Sequence, residues 1–210
     1  MAINVNTVYT TVLAILNKEQ RGYLTPDEFN KVGTQVQLEI FESYFENLNQ
    51  QLRTPQNNTE YADRVKLLQE KIATFETSAT VTVALSGQFG QTTLPADLHR
   101  FGILEYTNGS NLPVEVEKLS RQMFLQARRS QLTSPTQDYP ICYIEGNTLN
   151  ILPGVATAAA GANGSPAQVY MVEYVKKPVD PVWAFTVNSV GAYVYASGSS
   201  TDFEISDVDQ

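Results

Sequence analysis

The chain has 210 residues, with 14 Lys+Arg against 22 Asp+Glu for a net charge of -8, and a single Cys and a single His. A chain of this length buries a sizeable core without staples, and a lone Cys142 and lone His99 exclude an intramolecular disulfide and a Cys/His zinc site. The acidic balance argues against a dedicated nucleic-acid binder, whose phosphate contacts are carried by Lys and Arg.

Charged residues make up 17% of the chain, below the roughly 25% usual in soluble domains. Asn, Gln, Ser, Thr and aromatic residues (11 Tyr, 9 Phe) take their place, a composition suited to burying surface against protein partners. Met1 to Thr11 has no basic stretch leading into an apolar core, so no secretory signal is expected. No apolar run reaches the ~18 to 20 residues of a membrane span.

In chain order, Val5, Val8, Val12, Ile15 and Leu16 recur at helical spacing and predict a short amphipathic helix ending near Asn17. Thr25-Pro26-Asp27-Glu28 joins a Thr N-cap, a Pro at the first helical position and a Glu three residues after the cap, which is a capping box. The stripe Phe29, Val32, Val36, Ile40, Tyr44, Leu48 and Leu52 then predicts a helix of about 28 residues, about 42 Å long. Pro55 ends it. After a loop at Gln56–Thr59, Tyr61, Val65, Leu68, Ile72 and Phe75 predict a second long helix of about five turns, which completes an αα-hairpin.

From Thr77 the period falls to two. One strand is expected through Val81, Val83 and Leu85 to Ser86-Gly87, then a turn at Leu94–Leu98 and a strand from Arg100 to Tyr106. Asn108-Gly109 signals a hairpin turn into a strand Val114–Glu117. Ser120 caps a short helix Arg121–Arg129, and Tyr139–Glu145 pairs with Thr148–Leu152 across Gly146-Asn147. Gly154 to Ala167 is a small-residue surface loop, and Val169–Val175 is the strongest strand signal, stopped by Pro178. The fold class is therefore α+β. A long helical hairpin (1–76) precedes a small antiparallel β domain with one short helix (77–177) and an extended acidic, aromatic C-terminal tail (178–210). That tail holds five acids and no Lys or Arg.

Chemistry-bearing motifs are few. Asn17 to Glu28 follows the spacing of a calcium loop, with Gly22 at its sixth position and Glu28 at its twelfth, but Arg21 stands where a carboxylate should coordinate. A plain helix connection, with Gly22 as C-cap and Glu28 in the capping box, is the better reading. His99 has no second His for a metal, and no G-x-S-x-G elbow accompanies it. Cys142 lies in an apolar strand, the setting of an inert core thiol. Glu115 and Glu117 alternate with Val114 and Val116 as a solvated strand face. No catalytic residue, metal site or cofactor is expected.

Two groups suit protein contact instead. Lys118, Arg121, Arg128 and Arg129 form a basic cluster with no acid from Lys118 to Gln137, complementary to an acidic neighbour. Trp183, Phe185, Tyr193, Tyr195 and Phe203 place aromatics in the acidic stretch. They are core if that stretch joins the β domain's sheet, and partner anchors if it extends away.

The run from the helical N-terminal region through Leu94–Arg100 to Tyr139–Pro153 and Val169–Pro178 resembles the head-to-tail adaptor proteins of short-tailed bacteriophages. These neck-ring proteins are also called tail tubular or gatekeeper proteins. Asn17 to Asn30 is similar to structural proteins of crAss-like and marine phages. The resemblance spans about residues 15 to 206 and rests on short motifs.

It implies a non-enzymatic virion structural protein of neck and tail, made in the cytoplasm of a host bacterium. In it, copies of the chain form a dodecameric homo-oligomer ring, without membrane contact. Helical hairpins would contact the portal and the β parts the next tail ring or tail tube protein. DNA would pass the channel as cargo during ejection. Similar proteins follow the region matching Asp202–Ser206 with a further helix, whereas this sequence ends at Gln210. Residues 178–210 are expected to dock into the portal or an adjoining ring. Another tail ring, a minor capsid protein, or a degenerate EF-hand-like binding module are the alternatives.

Overall fold

A computed structural model describes residues 3–19, 24–53, 63–86, 89–107, 113–136, 138–153 and 169–205. In chain order its elements are α1 (Val5–Glu19), α2 (Pro26–Leu52), α3 (Arg64–Ala73), β1 (Glu76–Val81), β2 (Ala84–Ser86), β3 (Phe89–Thr93), β4 (Leu98–Thr107), β5 (Pro113–Glu115) and β6 (Glu117–Lys118). They continue with α4 (Arg121–Arg129), β7 (Ile141–Glu145), β8 (Thr148–Leu152), β9 (Val169–Lys176), β10 (Phe185–Val187) and β11 (Tyr193–Tyr195). The protein is α+β and divides into two units. One comprises Met1–Phe75 with Pro178–Gln210, and the other Glu76–Lys177.

The first unit is built on α2. Its capping box forms as the sequence predicts: the Thr25 hydroxyl accepts from the Glu28 N–H, and the Glu28 carboxylate accepts from the Thr25 N–H at 3.0 Å. α1 starts on Asn4, whose Oδ1 accepts from the N–H groups of Asn6 and Thr7 at 3.1 Å each. That cap carries no apolar signal and escapes a periodicity reading. α3 runs antiparallel to α2, because Phe75 meets Phe41 at 4.9 Å while the earlier Lys71 lies over the Tyr44 ring at 5.4 Å.

α3 is shorter than expected. It has ten residues rather than five turns, begins on an Asp63 N-cap, and ends before Phe75. Phe75 continues the apolar spacing after the helix has stopped, so periodicity alone overran the end. The predicted loop at Gln56–Thr59, the Gly22 C-cap and Arg21 lie outside the described residues.

The second unit has two sheets, ordered β1-β9-β4-β5 and β2-β3-β8-β7-β6. One core joins them, with Leu104, Tyr106, Tyr170, Val172 and Tyr174 from the first sheet against Cys142, Leu149 and Ile151 from the second. Two expected strands are broken in the same manner. The strand read through Val81 and Val83 splits into β1 and β2, and Val114–Glu117 splits into β5 and β6, so each half joins a different sheet. Val83 and Val116 sit at these corners, both buried, and the Val116 N–H donates to the Leu104 carbonyl at 2.8 Å. Strands that switch sheets at a bend close a sandwich along its edges. Each corner Val stabilises the unit by about 1.5–3 kcal/mol through burial. The alternation of apolar residues survives the bend, and for that reason the sequence conceals it.

The two expected hairpins form, β4 with β5 and β7 with β8, while β3 is a strand that the sequence reading did not expect, and β6 runs parallel to β7 within otherwise antiparallel sheets. Gly146, at a φ of 60°, turns β7 into β8. β4 bulges twice against β9, around His99 and around Gly102. At the second bulge a Cβ on Gly102 would stand 2.7 Å from the Glu173 carbonyl oxygen, which restricts the position to glycine. α4 packs on β7 and inserts the fully buried Phe124 between Ile141 and Leu152. Ser120 caps it, accepting from the Met123 N–H. The turn at Asn108-Gly109 and the whole expected loop from Gly154 to Ala167 lie outside the described residues.

The expected third part, a separate extension over 178–210, is corrected. From Pro178 the chain belongs to the helical unit, and Trp183, Phe203 and Ile205 are buried there. Acidic, Gly/Ser-rich composition reads as extension. Polar side chains on α2, together with the first residues of the chain, hold the segment.

Candidate interaction surface

The face of α2 that receives the C-terminal segment carries Asn30, Gly33 and Gln37, spaced to lie on one side of the helix. Asn30 accepts from the Trp183 N–H at 2.8 Å and donates to the Trp183 carbonyl at 3.3 Å. Gln37, itself buried, donates to the Val179 carbonyl at 2.7 Å and accepts from the Glu204 N–H at 3.1 Å. Gly33 lies between them, where a Cβ would stand 3.3 Å from the Phe203 ring.

The start of the chain adds a second clasp. Ile3 and Phe203 exchange two main-chain hydrogen bonds of 3.0 Å, and Asp202 accepts the otherwise unpaired Val5 N–H at the start of α1 at 2.8 Å. Each amide side chain satisfies main-chain groups that burial would leave unpaired, so the segment docks without entering a sheet of the other unit.

Trp183 is the pivot. It is 4% exposed, its indole N–H donates to Asn6 Oδ1 at 3.0 Å, and its ring meets Tyr9 at 4.2 Å. From it an aromatic ladder runs outward: Phe185 at 6.0 Å, Tyr195 at 5.8 Å, and then Tyr193 edge-on to Phe185 at 4.8 Å. β10 and β11 pair antiparallel and form a sheet of two strands alone. Such a pair is marginal in water unless something supports it, and here the ladder supplies the support from the core end.

The tip is set by Asn188. Its Oδ1 accepts from the N–H groups of Val190 and Ala192 at 3.0 and 2.9 Å, and Gly191 adopts a φ of 84° that only glycine takes easily. This ordered tip presents apolar residues to solvent: Val190 is 88% exposed, Val187 60%, and Tyr193 and Val194 are exposed as well. From Pro181 to Thr201 there is no charged residue. The strands are only three residues each, so what the hairpin offers is less a pairing edge than a set of exposed apolar side chains with no charge among them.

The expected anchors therefore divide. Trp183 and Phe203 are core residues of the helical unit, Phe185 and Tyr195 are half-buried supports, and Tyr193 alone is exposed. Val187, Val190 and Val194 are the outward residues that the search for aromatics missed. Their signal was the charge-free run with valines alternating on short strands.

Of the basic cluster, Lys118 lies 4.9 Å over the Phe101 ring and Arg121 pairs with Glu145 at 2.8 Å. Arg128 and Arg129 are exposed in the last turn of α4, where the helix dipole favours cations.

The remaining chemistry-bearing residues take structural places. Cys142 is buried on β7, and its thiol is pushed up to about 12 by desolvation. His99 is half-buried in the β4 bulge. Glu115 and Glu117 are exposed, on strands of different sheets. Glu28 accepts from the Thr25 N–H and hydroxyl, bonds that hold its carboxyl below the usual carboxylate range. The Tyr106 hydroxyl is buried without a hydrogen-bond partner, and its pKa is raised by burial. Among the described residues no group of three or more His, Cys, Asp or Glu side chains is placed to hold a metal, and no helix is long and apolar enough to cross a membrane.

No family model matches the chain, and a search of curated proteins returns no match.

Proposed function

We propose that the protein is a virion structural protein, a head-to-tail adaptor whose copies form a ring between portal and tail and pass DNA without catalysing a reaction. The observation that carries this reading is the β10–β11 hairpin: an ordered, charge-free apolar projection that a solitary protein would have reason to cover. Its preorganised tip reduces the ordering entropy that docking costs, which suits a permanent assembly contact. The acidic balance of the chain supports the conduit role, because like charge keeps passing duplex from adhering.

The test is the particle mass of the full-length protein, alone and with purified portal, by sedimentation and mass photometry. A closed oligomer that binds portal is the expected result. A species that stays monomeric at every concentration, with portal present, contradicts the assignment.

A further inference from the structure

β1 and β2 belong to different sheets of the β unit, and a hollow opens where the chain passes from one to the other. β2 pairs with β3 only as far as Ala84 opposite Gln91. Beyond that pair β3 continues through Thr92 and Thr93, held by β8 at Leu149 and Thr148, while Thr80 and Val81 at the end of β1 are held by β9. The space between the parting strands has a volume of about 560 Å³, with Pro95 on its wall.

The lining is of one chemical kind. Five threonines face the hollow, Thr80, Thr82, Thr92, Thr93 and Thr148, together with Gln91, and among the described residues the lining holds no charge and no aromatic ring. None of the five hydroxyls has a hydrogen-bond partner among the described residues. Elsewhere the chain uses such groups locally: Thr10 and Thr11 donate to carbonyls one turn back on α1, and the Thr25 hydroxyl completes the capping box.

Thr92 is the sharpest case. It is 8% exposed, yet its hydroxyl is left to the hollow, and a polar group buried to this degree destabilises a fold unless something bonds to it. Gln91 is committed on one side only. Its Nε2 donates to Asn150 Oδ1 at 2.8 Å, which leaves its carbonyl oxygen to accept.

We infer that this hollow binds a neutral saccharide unit. A hydroxyl donates one hydrogen bond, accepts two and rotates to suit its partner, so a cluster of them matches a ligand whose own groups both donate and accept. Sugar hydroxyls do so. Phosphate would meet no cation in this lining, and a metal ion no carboxylate. The threonine methyls, Val81 and Pro95 offer apolar contact to the C–H side of a sugar ring, and the volume falls within the roughly 300–1,000 Å³ of small-ligand sites. The site is complete within one copy of the chain and stands apart from the ring reading.

The test is methyl NMR of the full-length protein labelled at its threonine methyl groups. It is titrated with glucose, N-acetylglucosamine and their oligomers maltotriose and chitotriose, with glucuronate and inorganic phosphate as charged controls. Saturable shifts at the five lining threonines with at least one neutral sugar, and none at Thr25, are expected. Tighter binding of an oligomer than of its monomer identifies a glycan chain as the source and equal binding a free sugar, and either result supports the site. Thr92→Val keeps the shape and removes one hydroxyl, so binding should weaken at least ten-fold. Its melting temperature should not fall, because no hydrogen bond within the protein is lost. If that variant does not fold, Thr148→Val at a half-buried position is read in its place, with the same weakening expected.

No saturable shift with any of the four sugars, equal shifts at Thr25, charged controls that bind as tightly as the sugar, or wild-type affinity in the valine variant would each overturn the inference and leave the ring reading untouched.

Discussion

Asn30 on α2 holds both main-chain groups of Trp183, accepting from its N–H at 2.8 Å and donating to its carbonyl at 3.3 Å. One amide side chain thus takes the place of a neighbouring strand for a residue 153 positions away in sequence. Asn30→Ala leaves both groups unpaired in a part-buried place, at a cost of about 1–3 kcal/mol. Gln37→Ala should cost at least as much, because Gln37 is itself buried and serves Val179 and Glu204 together. Trp183 is the only Trp in the chain, so urea titration followed by its fluorescence reports this clasp directly. Unchanged midpoints in both variants would contradict the docking described here.

Gly33 separates two opposing effects by size of side chain. Alanine gains about 1 kcal/mol of helix propensity over glycine, while its Cβ meets the Phe203 ring at 3.3 Å and asks for a shift of a few tenths of an ångström. Gly33→Ala should therefore change stability little. Gly33→Ile has no room, and overpacking should cost about 1–3 kcal/mol and expose Trp183. A red-shifted emission maximum for Ile and a native one for Ala is the expected pair of spectra.

The capping box at Thr25 and Glu28 gives a pH-dependent prediction with a definite sign. Hydrogen bonds from Thr25 lower the folded-state pKa of Glu28. The stabilisation is therefore present above the ordinary Glu range and is lost as pH falls through the lowered folded value. Thr25→Ala should cost about 0.5–2 kcal/mol at neutral pH. Glu28→Gln keeps a reciprocal acceptor without the titration, so its stability deficit at neutral pH should vanish in acid. Thermal unfolding of wild type and E28Q across that range measures the convergence.

Cys142 and Tyr170 predict the alkaline limb. Desolvation raises both to about 12 in the folded protein, whereas an unfolded thiol titrates near ~8.5. The folded advantage is complete below the unfolded value and declines as pH rises toward 12. In the native protein at pH ~8 a thiol reagent should label Cys142 only at the rate of opening, and denaturant should release full reactivity. Fast labelling without denaturant would mean that β7 is not in the core.

Much of this fold was legible in the sequence because local signals and tertiary packing agree in it. The capping box, the Ser120 cap and the Gly146 turn all sit where residue types require them. What escaped were places where packing leaves the local pattern intact. Val83 and Val116 keep the alternation of a straight strand while the chain bends from one sheet to the other. Asn30 and Gln37 look like ordinary surface residues on a helix until the segment they bind is placed against them. The candidate surface was half read. Aromatic content drew attention to residues 183–203, yet two of the aromatics expected as anchors, Trp183 and Phe203, turned inward, and the valines between them turned out.

The hairpin tip separates a structural role from a docking role. Gly191 at a φ of 84° cannot become alanine without left-handed strain, about 1–2 kcal/mol confined to a turn. Gly191→Ala should therefore raise hydrogen exchange over residues 185–195 without altering the melting of the rest. Val190 has the opposite character: at 88% exposure it contributes little to folding, so Val190→Asp should leave thermal unfolding unchanged. If the tip is an assembly contact, a carboxylate there must be desolvated on docking, and binding to purified portal or to the next tail component should weaken by at least ten-fold. Val190→Leu, which keeps the apolar tip, should bind as the wild type does. Equal binding by the Asp and Leu variants would remove the hairpin from the interface.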